Sequence, residues 1–530
     1  MTVFRWLLPI AVVVTLVGVV DRAGRPPVAA ERVAPADAAD VSATVAALDR
    51  QLEASWAKAG LTASAPADDF TVARRVSLAL HGTVPSLEEL GRFRAHPELD
   101  LWVKTRLADR RFEEYFAERL ARVVVGVDQG PFPVYRRDRL VDWLARELAA
   151  DAPWTEIAQR LIAGQGLWTS RPETNFITAT YADGKADPMK LASRTVRAFL
   201  GQRMDCAQCH DHPFASWKQG QFEGLAAFYG GVTNALKGIT DGPGKLVVED
   251  RKTLAKRTVE PAPPYQAGWM PAAGTPRERL ATWLVDRRNR RFPRAIANRV
   301  WGFMFGKPYY APVDDLPDPP SGAPDAIDVL ADDLIAHGYS LRRLVRVIAG
   351  SSAFRLQSVS AETDPKLIAK REEAFAQFPL VRLRPEQVIG AMLQAASVKT
   401  VDRNANVLMR AIRFLREGDF VKHYGDFGDS ELDERGGTIP QRLLMLNGKL
   451  VHELTEPNPF GATLRIAKMA VDDAEALDLV YRACLTRAPS DDERQQLAGM
   501  LQGTKDKARD EANMDLYWTL INSTEFSWNH

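Results

Sequence analysis

Cysteine is scarce in this sequence, with three in 530 residues. Exported domains that rely on disulfides carry far more, so a disulfide scaffold is excluded. An excess of one charge is lacking too. Lysine plus arginine (69) nearly cancels aspartate plus glutamate (68), which leaves no field to gather nucleic acid or an anionic membrane surface. Basic clusters such as Arg287-Arg288-Asn289-Arg290-Arg291 sit among acidic stretches and read as solvated helix surface. Sustained alternation of apolar and polar residues is almost absent, which argues against a large sheet. There is no repeat of fixed period, no glycine-rich phosphate loop, no nucleophile elbow and no zinc-protease helix motif. The sequence therefore names no substrate.

Only one long apolar run is present. Trp6 to Val20 is uncharged and mostly apolar, follows a basic residue at Arg5, and precedes the small-residue pattern Val28-Ala29-Ala30. This is the layout of a secretory signal. The run is short for a full membrane span, although with its flanks it could remain as a single anchor. Residues 1–30 are thus expected to be a signal peptide or N-terminal anchor. That places the protein in the periplasm or at the cell surface, with membrane contact only through this segment. Residues 31–45, rich in Ala, Pro, Val and Asp, read as a linker.

From Val45 onward, short helical patterns follow one another. Phe70, Ala73, Val76 and Leu80 mark one helical face with Asp68 or Asp69 as its cap, and Ser86 with Glu89 forms a capping box. Further 3.6-residue patterns cover 112–125, 138–150, 154–163, 277–287, 294–305, 325–336 and 341–349. A capping box at Ser490 and Glu493 and a last helix near 515–521 close the chain. Between Gly230 and Gly274 glycine and proline become frequent, and Leu246-Val247-Val248 reads as a short strand paired with Arg257-Thr258-Val259. The expected fold is mainly α, a multi-helical two-domain architecture with at most a small β-hairpin in the connecting segment. Its parts are a helical domain at 46–232, a connecting segment at 233–275 and a C-terminal helical domain at 276–530.

The sharpest chemical signature is Cys206-Ala207-Gln208-Cys209-His210, which lies in the first domain. Two thiols at this spacing can attach to one edge of a porphyrin, and the histidine that follows falls under the iron as its ligand. Haem c is the leading cofactor, with Cys206, Cys209 and His210 holding it. Such attachment occurs outside the cytoplasm, in agreement with the signal-like segment. Two rivals remain open. One is a disulfide between Cys206 and Cys209 that pins a turn. The other is a transition metal such as zinc, drawn to Cys206, Cys209, His210 and His212, with Asp211 behind them. Candidate metal ligands are His210, His212 and Met270. Met270, in Gly268-Trp269-Met270-Pro271, is a candidate sixth iron ligand, against the plainer role of a loop methionine filling a gap. His212 lies too close to His210 to reach the opposite haem face and more readily bonds to backbone. His337, His423 and His452 qualify only if the fold brings them near. Cys484, on an apolar face with Leu477, Val480 and Ala483, reads as an inert core thiol. Asp314, Asp315 and Asp318 are candidates for a cation or for acid–base work, though aspartates in a proline-rich loop are more often turn formers and caps.

Several runs together carry a resemblance. Gly201-Gln202-Arg203-Met204-Asp205-Cys206-Ala207-Gln208-Cys209-His210-Asp211-His212-Pro213-Phe214, followed by Gly224-Leu225-Ala226-Ala227-Phe228, resembles the first, cytochrome-like member of two paired domains first described in planctomycetes. Asn298-Arg299-Val300-Trp301-Gly302-Phe303-Met304-Phe305-Gly306, Val313-Asp314-Asp315 and the closing run Leu520 to His530 resemble the second. The resemblance spans nearly everything from Val45 to His530. It implies an exported two-domain protein whose companions include a sulfatase-like exported family. Around Phe420-Val421-Lys422-His423-Tyr424-Gly425 and Thr438-Ile439-Pro440-Gln441 the chain departs from the commoner form and looks like a divergent subgroup. The expected function is haem binding for electron transfer or redox sensing, with a redox partner. The alternative is a periplasmic or surface accessory module for a sulfatase-like hydrolase, its Cys/His cluster a structural disulfide or non-haem metal site. A weaker third reading is an enzyme with its metal on His210, His212 and remote carboxylates.

Overall fold

The helices begin where the sequence offers caps. Asp68 accepts the amides of Phe70 at 3.0 Å and Thr71 at 3.1 Å. The boxes Ser86/Glu89 and Ser490/Glu493 are both closed, opening helices Leu87–Ala95 and Asp491–Leu501. Each such cap is worth about 1 kcal/mol. The structure is a computed structural model that describes residues 41–127, 134–249, 253–320, 322–402, 420–425, 432, 437–458 and 461–530. The signal-like segment 1–30 and residues 31–40 of the expected linker lie outside the described residues. No helix among the described residues is long and apolar enough to cross a membrane.

The chain is mainly α. The helices that position the site and its supports are α1 (Asp69–His81), α2 (Arg110–Val125), α3 (Pro188–Thr195), α4 (Gln219–Ala227), α5 (Arg291–Phe305), α6 (Ala326–Ala336), α7 (Leu341–Gly350), α8 (Asp473–Leu485) and α9 (Asp506–Ile521). Sheet is confined, among the described residues, to three antiparallel pairs. The expected pairing is present: β3 (Leu246–Glu249) meets β4 (Lys256–Val259), with Leu246 opposite Val259 and Val248 opposite Arg257. A second hairpin precedes it in the connecting segment, β1 (Val232–Ala235) with β2 (Gly238–Asp241). Its register depends on a distant backbone. The Ile239 amide donates to Gly166 at 2.9 Å and the Gly166 amide to Ile239 at 2.8 Å. Gly238 sits at φ +86°, where a Cβ would meet the Gly166 carbonyl carbon at 2.2 Å, so only glycine fits that approach. The third pair, β5 (Val381–Arg382) with β6 (Trp528–Asn529), ties the end of the chain back to its middle.

Two buried cores result. The first runs from Leu48 to Phe378, with Leu432 added, and takes helices from both sides of the connecting segment, including α2, α5, α6 and α7. At its centre α5 is buried almost all round, from Phe292 to Phe305, and its polar side chains Arg294 and Asn298 are paired there, with Asp328 and with the Tyr310 backbone. Trp301 stacks on Phe305 at 4.4 Å and meets Tyr309 and Phe375 edge-on at 5.5 and 5.1 Å. The second core gathers residues 383–526 with Leu78 and Val84 from the N-terminal part. Helix α1 belongs to both: Val76, Ala79 and Leu80 face the first core and Leu78 the second.

Buried arginines join these layers. Arg75 donates from Nε to the His530 carbonyl at 2.8 Å and from Nη1 to Phe354 and Leu356 at 2.9 and 2.7 Å. Its guanidinium lies 3.6 Å from the Phe378 ring centroid. Arg74 reaches the Cys484 carbonyl at 3.1 Å and that of Phe526 at 3.4 Å. Burial lowers both guanidinium pKa values, to about 10 for Arg74 and about 9 for Arg75. Both stay charged at neutral pH.

A candidate haem-attachment turn

Helix α3 starts at Pro188 under an Asp187 cap that accepts the amides of Met189 and Lys190. It runs on through a π-helical turn at Val196–Leu200 and stops at Gly201, whose φ of +58° reverses the chain. A short 3₁₀ turn, Asp205–Gln208, follows. Its spacing sorts its side chains. Met204 and Ala207, three apart, are buried in the first core. Cys206 and Cys209, also three apart, stand exposed as thiols. His210 is exposed beside them. Helix α4 packs against this turn, and Trp217, Phe222 and Phe228 are buried in the core, leaving the thiols uncovered.

The two histidines of the motif differ in what their rings can offer. His210 Nδ1 lies 2.7 Å from the Asp211 carbonyl oxygen. A carbonyl only accepts, so Nδ1 carries the proton and the lone pair is on Nε2. His212 is the reverse. Its Nδ1 accepts the amides of Phe214 at 3.2 Å and Ala215 at 2.9 Å, so that ring's proton is on Nε2. Its own amide donates to the Trp217 carbonyl at 2.8 Å. His212 therefore staples the turn after the motif, the backbone role that its position suggested. Asp211 is exposed, and its carboxyl is held below the usual carboxylate range by the Gln219 amide and by Lys218.

The other candidates have surroundings of their own. Met270 follows a 3₁₀ turn at Ala267–Trp269 and packs, partly buried, against the first core. His337 Nδ1 sits 2.9 Å from the Asp333 carbonyl, and His452 is an exposed partner of Glu456 at 3.0 Å. His423 is exposed on residues 420–424 of the divergent segment. Burial pushes the Cys484 thiol well above its usual range, which makes it inert. Among the described residues, no three or more His, Cys, Asp or Glu side chains are grouped so that they could hold a metal ion.

The aspartates of the proline-rich loop, beyond the connecting segment, brace the turn. Asp314 is buried between Arg197 and Arg203, accepting from each Nε at 2.7 Å. Burial alone would raise its pKa, but Arg197 and Arg203, with Arg299, hold it down. Asp315 accepts the Arg203 amide at 3.4 Å, and Asp318 pairs with Arg291. Leu316 donates its amide to the Gly201 carbonyl at 2.8 Å, and Gln202 Nε2 returns a bond to the Leu316 carbonyl at 2.7 Å. From α5, the Asn298 side-chain amide holds this loop by its start, bonding both ways with the Tyr310 backbone at 2.8 and 2.9 Å. Gly201→Ala tests the brace. Its Cβ would lie 2.6 Å from a Leu316 methyl that can swing aside, so the left-handed backbone sets the cost. The expected loss is about 1–2 kcal/mol, read by urea unfolding. A loss of only a few tenths would mean that the reversal at 201 is not constrained.

Comparisons with known proteins match the chain in two segments. Residues 47–234, which include the thiol turn, match PSCyt2, a protein of unknown function (DUF1549). Residues 276–409, which include α5 and the brace, match PSD1, a protein of unknown function (DUF1553). No curated protein and no solved structure matches the chain. With both matches in N- to C-terminal order, the chain belongs to the proteins that carry these paired planctomycete-type domains of unknown function.

Proposed function

We propose that the chain is an exported carrier of haem c, used for electron transfer or redox sensing. Cys206 and Cys209 would supply the two sulfurs for attachment, and His210 would hold the iron through Nε2. The observation that carries this reading is the His210 ring. A histidine that ligates a metal nearly always donates its other ring N–H to a carboxylate or carbonyl, and here Nδ1–H meets the Asp211 carbonyl at 2.7 Å. The exposed thiols add to it, because their spacing puts them on one side of a turn whose other side is anchored in the core. A bound haem would supply one-electron chemistry at a potential set by its axial ligands and surroundings. Met270, packed against the core, is left out of this ligand set. Export belongs to the same reading, since attachment takes place where residues 1–30 would send the chain.

The test uses the full chain, expressed in an exporting host with a cytochrome-maturation system. After denaturation, haem absorbance is expected to stay with the polypeptide, and the mass to exceed that of the bare chain by one haem. Cys206→Ala combined with Cys209→Ala abolishes that retention. His210→Ala keeps the covalent haem and changes its axial-ligand spectrum. A bare polypeptide mass overturns the proposal. A mass two hydrogens lighter than the dithiol would instead favour a disulfide-pinned accessory module.

A further inference from the structure

We infer that Asp211 is a positioning residue: its carboxylate, clamped to the start of α4, holds its own carbonyl on His210 and so decides which ring nitrogen of His210 bears the proton. This deepens the proposed haem site and rests on His210 as the ligand. Asp211 Oδ1 accepts the Gln219 amide at 3.0 Å, and Oδ2 accepts Lys218 Nζ at 3.0 Å. These bonds close a loop from 211 to 219. Within it, the Asp211 carbonyl and the His212 amide belong to one planar peptide unit, where C=O and N–H point in opposite directions. The His212 N–H is fixed on the Trp217 carbonyl at 2.8 Å. With the side chain held by α4 and the N–H held by Trp217, the peptide has one orientation left. Its oxygen then faces His210 Nδ1 at 2.7 Å. A solvated histidine has no such partner and exchanges between both tautomers. Here the exchange is blocked, and the lone pair needed for iron is kept on Nε2. The stretch Asp211-His212-Pro213-Phe214, which thiol attachment does not itself require, acquires a task in this way.

The experiment reads the ring nitrogens directly in the full chain without haem, labelled with ¹⁵N-histidine. In mildly alkaline buffer, where imidazoles are neutral, His210 is expected to show a protonated Nδ1 and a bare Nε2, and His212 the reverse. Single substitutions His210→Gln and His212→Gln assign the signals. In Asp211→Ala the two His210 shifts move toward each other while those of His212 stay apart. Asp211→Asn keeps an oxygen for the Gln219 amide and is expected to restore the His210 pattern. Far-UV circular dichroism checks that each variant keeps its helices. A wild-type His210 with its proton on Nε2 overturns the inference. So does an unchanged His210 in Asp211→Ala, or a change in both histidines together, which marks a merely structural role. A failed rescue by Asp211→Asn rules out the Gln219 amide as the anchor. None of these readouts needs haem, so failure of the haem proposal and failure of this inference are told apart.

Discussion

Arg75→Ala is expected to destabilise the protein by about 4 kcal/mol, among the largest losses that a single substitution gives. The change removes the donor from two buried carbonyls, those of Phe354 and Leu356, and from the partly buried main-chain oxygen of His530. Hydrogen bonds from a charged donor contribute about 1.5–3 kcal/mol each, and orphaned acceptors then carry their full desolvation cost. Relief of the buried charge offsets part of this, as does any water that enters the space. Arg75→Met separates packing from hydrogen bonding. It keeps most of the volume over the Phe378 ring and is still expected to cost about 2–3 kcal/mol. Because Arg75 reaches residues of the first core and the chain end beside the second, loss of it also loosens their union. Urea unfolding followed by far-UV circular dichroism is expected to broaden or split in Arg75→Ala. A single transition within about 1 kcal/mol of the wild type would show that other donors replace the guanidinium.

The second large effect is on acid stability, and it comes from His81. This ring ends α1 in full burial, with Nε2–H donating to the Arg106 carbonyl at 2.9 Å and Nδ1 buried without a partner. A helix C-terminus favours a protonated histidine, but here the opposing terms win. Burial first, then the cations of Arg111 and Arg106, lower its pKa from 6.5 to about 3. The unfolded chain therefore binds this proton first. Stability from His81 is intact above 6.5, declines as the pH falls below it, and is fully lost below about 3. Between pH 6.5 and 4.5 the decline should reach about 2 kcal/mol, just under the limit set by 1.36 kcal/mol per unit because the unfolded imidazole is already half-protonated at 6.5. The carboxylates act later and in the same direction. Burial pushes Glu89, Glu386 and Glu525 up, yet Arg106 with Arg111, Arg119 with Arg122, and Arg487 with His530 hold them at about 2. Their contribution is present above their ordinary 4.5 and lost as the pH falls toward 2. His81→Gln keeps an N–H for Arg106 but cannot be protonated. It is expected to flatten stability between pH 6.5 and 4.5 while leaving the steeper loss below 4.5. Equal slopes in variant and wild type across the upper window would sink this account.

Much of the local structure was legible because it is local. Asp68 and the two capping boxes follow from side chains within a few residues of one another, and the pairing of β3 with β4 from two short apolar runs in one segment. The β1–β2 hairpin was not legible, since its strands are only four residues each and its register leans on Gly166, far back in the chain. Nothing near the arginine pair Arg74-Arg75 in the sequence says what the two side chains meet. Only the fold reveals that carbonyls from three later segments converge on it. Helix α5 shows its 3.6-residue pattern in the sequence, but nothing in it says which helices bury it. In the candidate site the residue types and their spacing were visible, and so was the backbone role of His212. The tautomer of His210 was not, because it depends on where one peptide oxygen points.

The brace on Asp314 has a consequence for how this protein can be taken apart. Arg197 and Arg203 come from one matched segment and Asp314 from the other, and the same seam joins Gly201 to Leu316. A fragment ending in the connecting segment would keep both thiols and both motif histidines. It would also leave two partly buried cations facing each other without their shared anion, beside a core stripped of α5, α6 and α7. The two matched segments are better regarded as complementary halves of one folding unit than as modules on a string. Their order along the chain sets the thiol turn in one half and its keystone in the other.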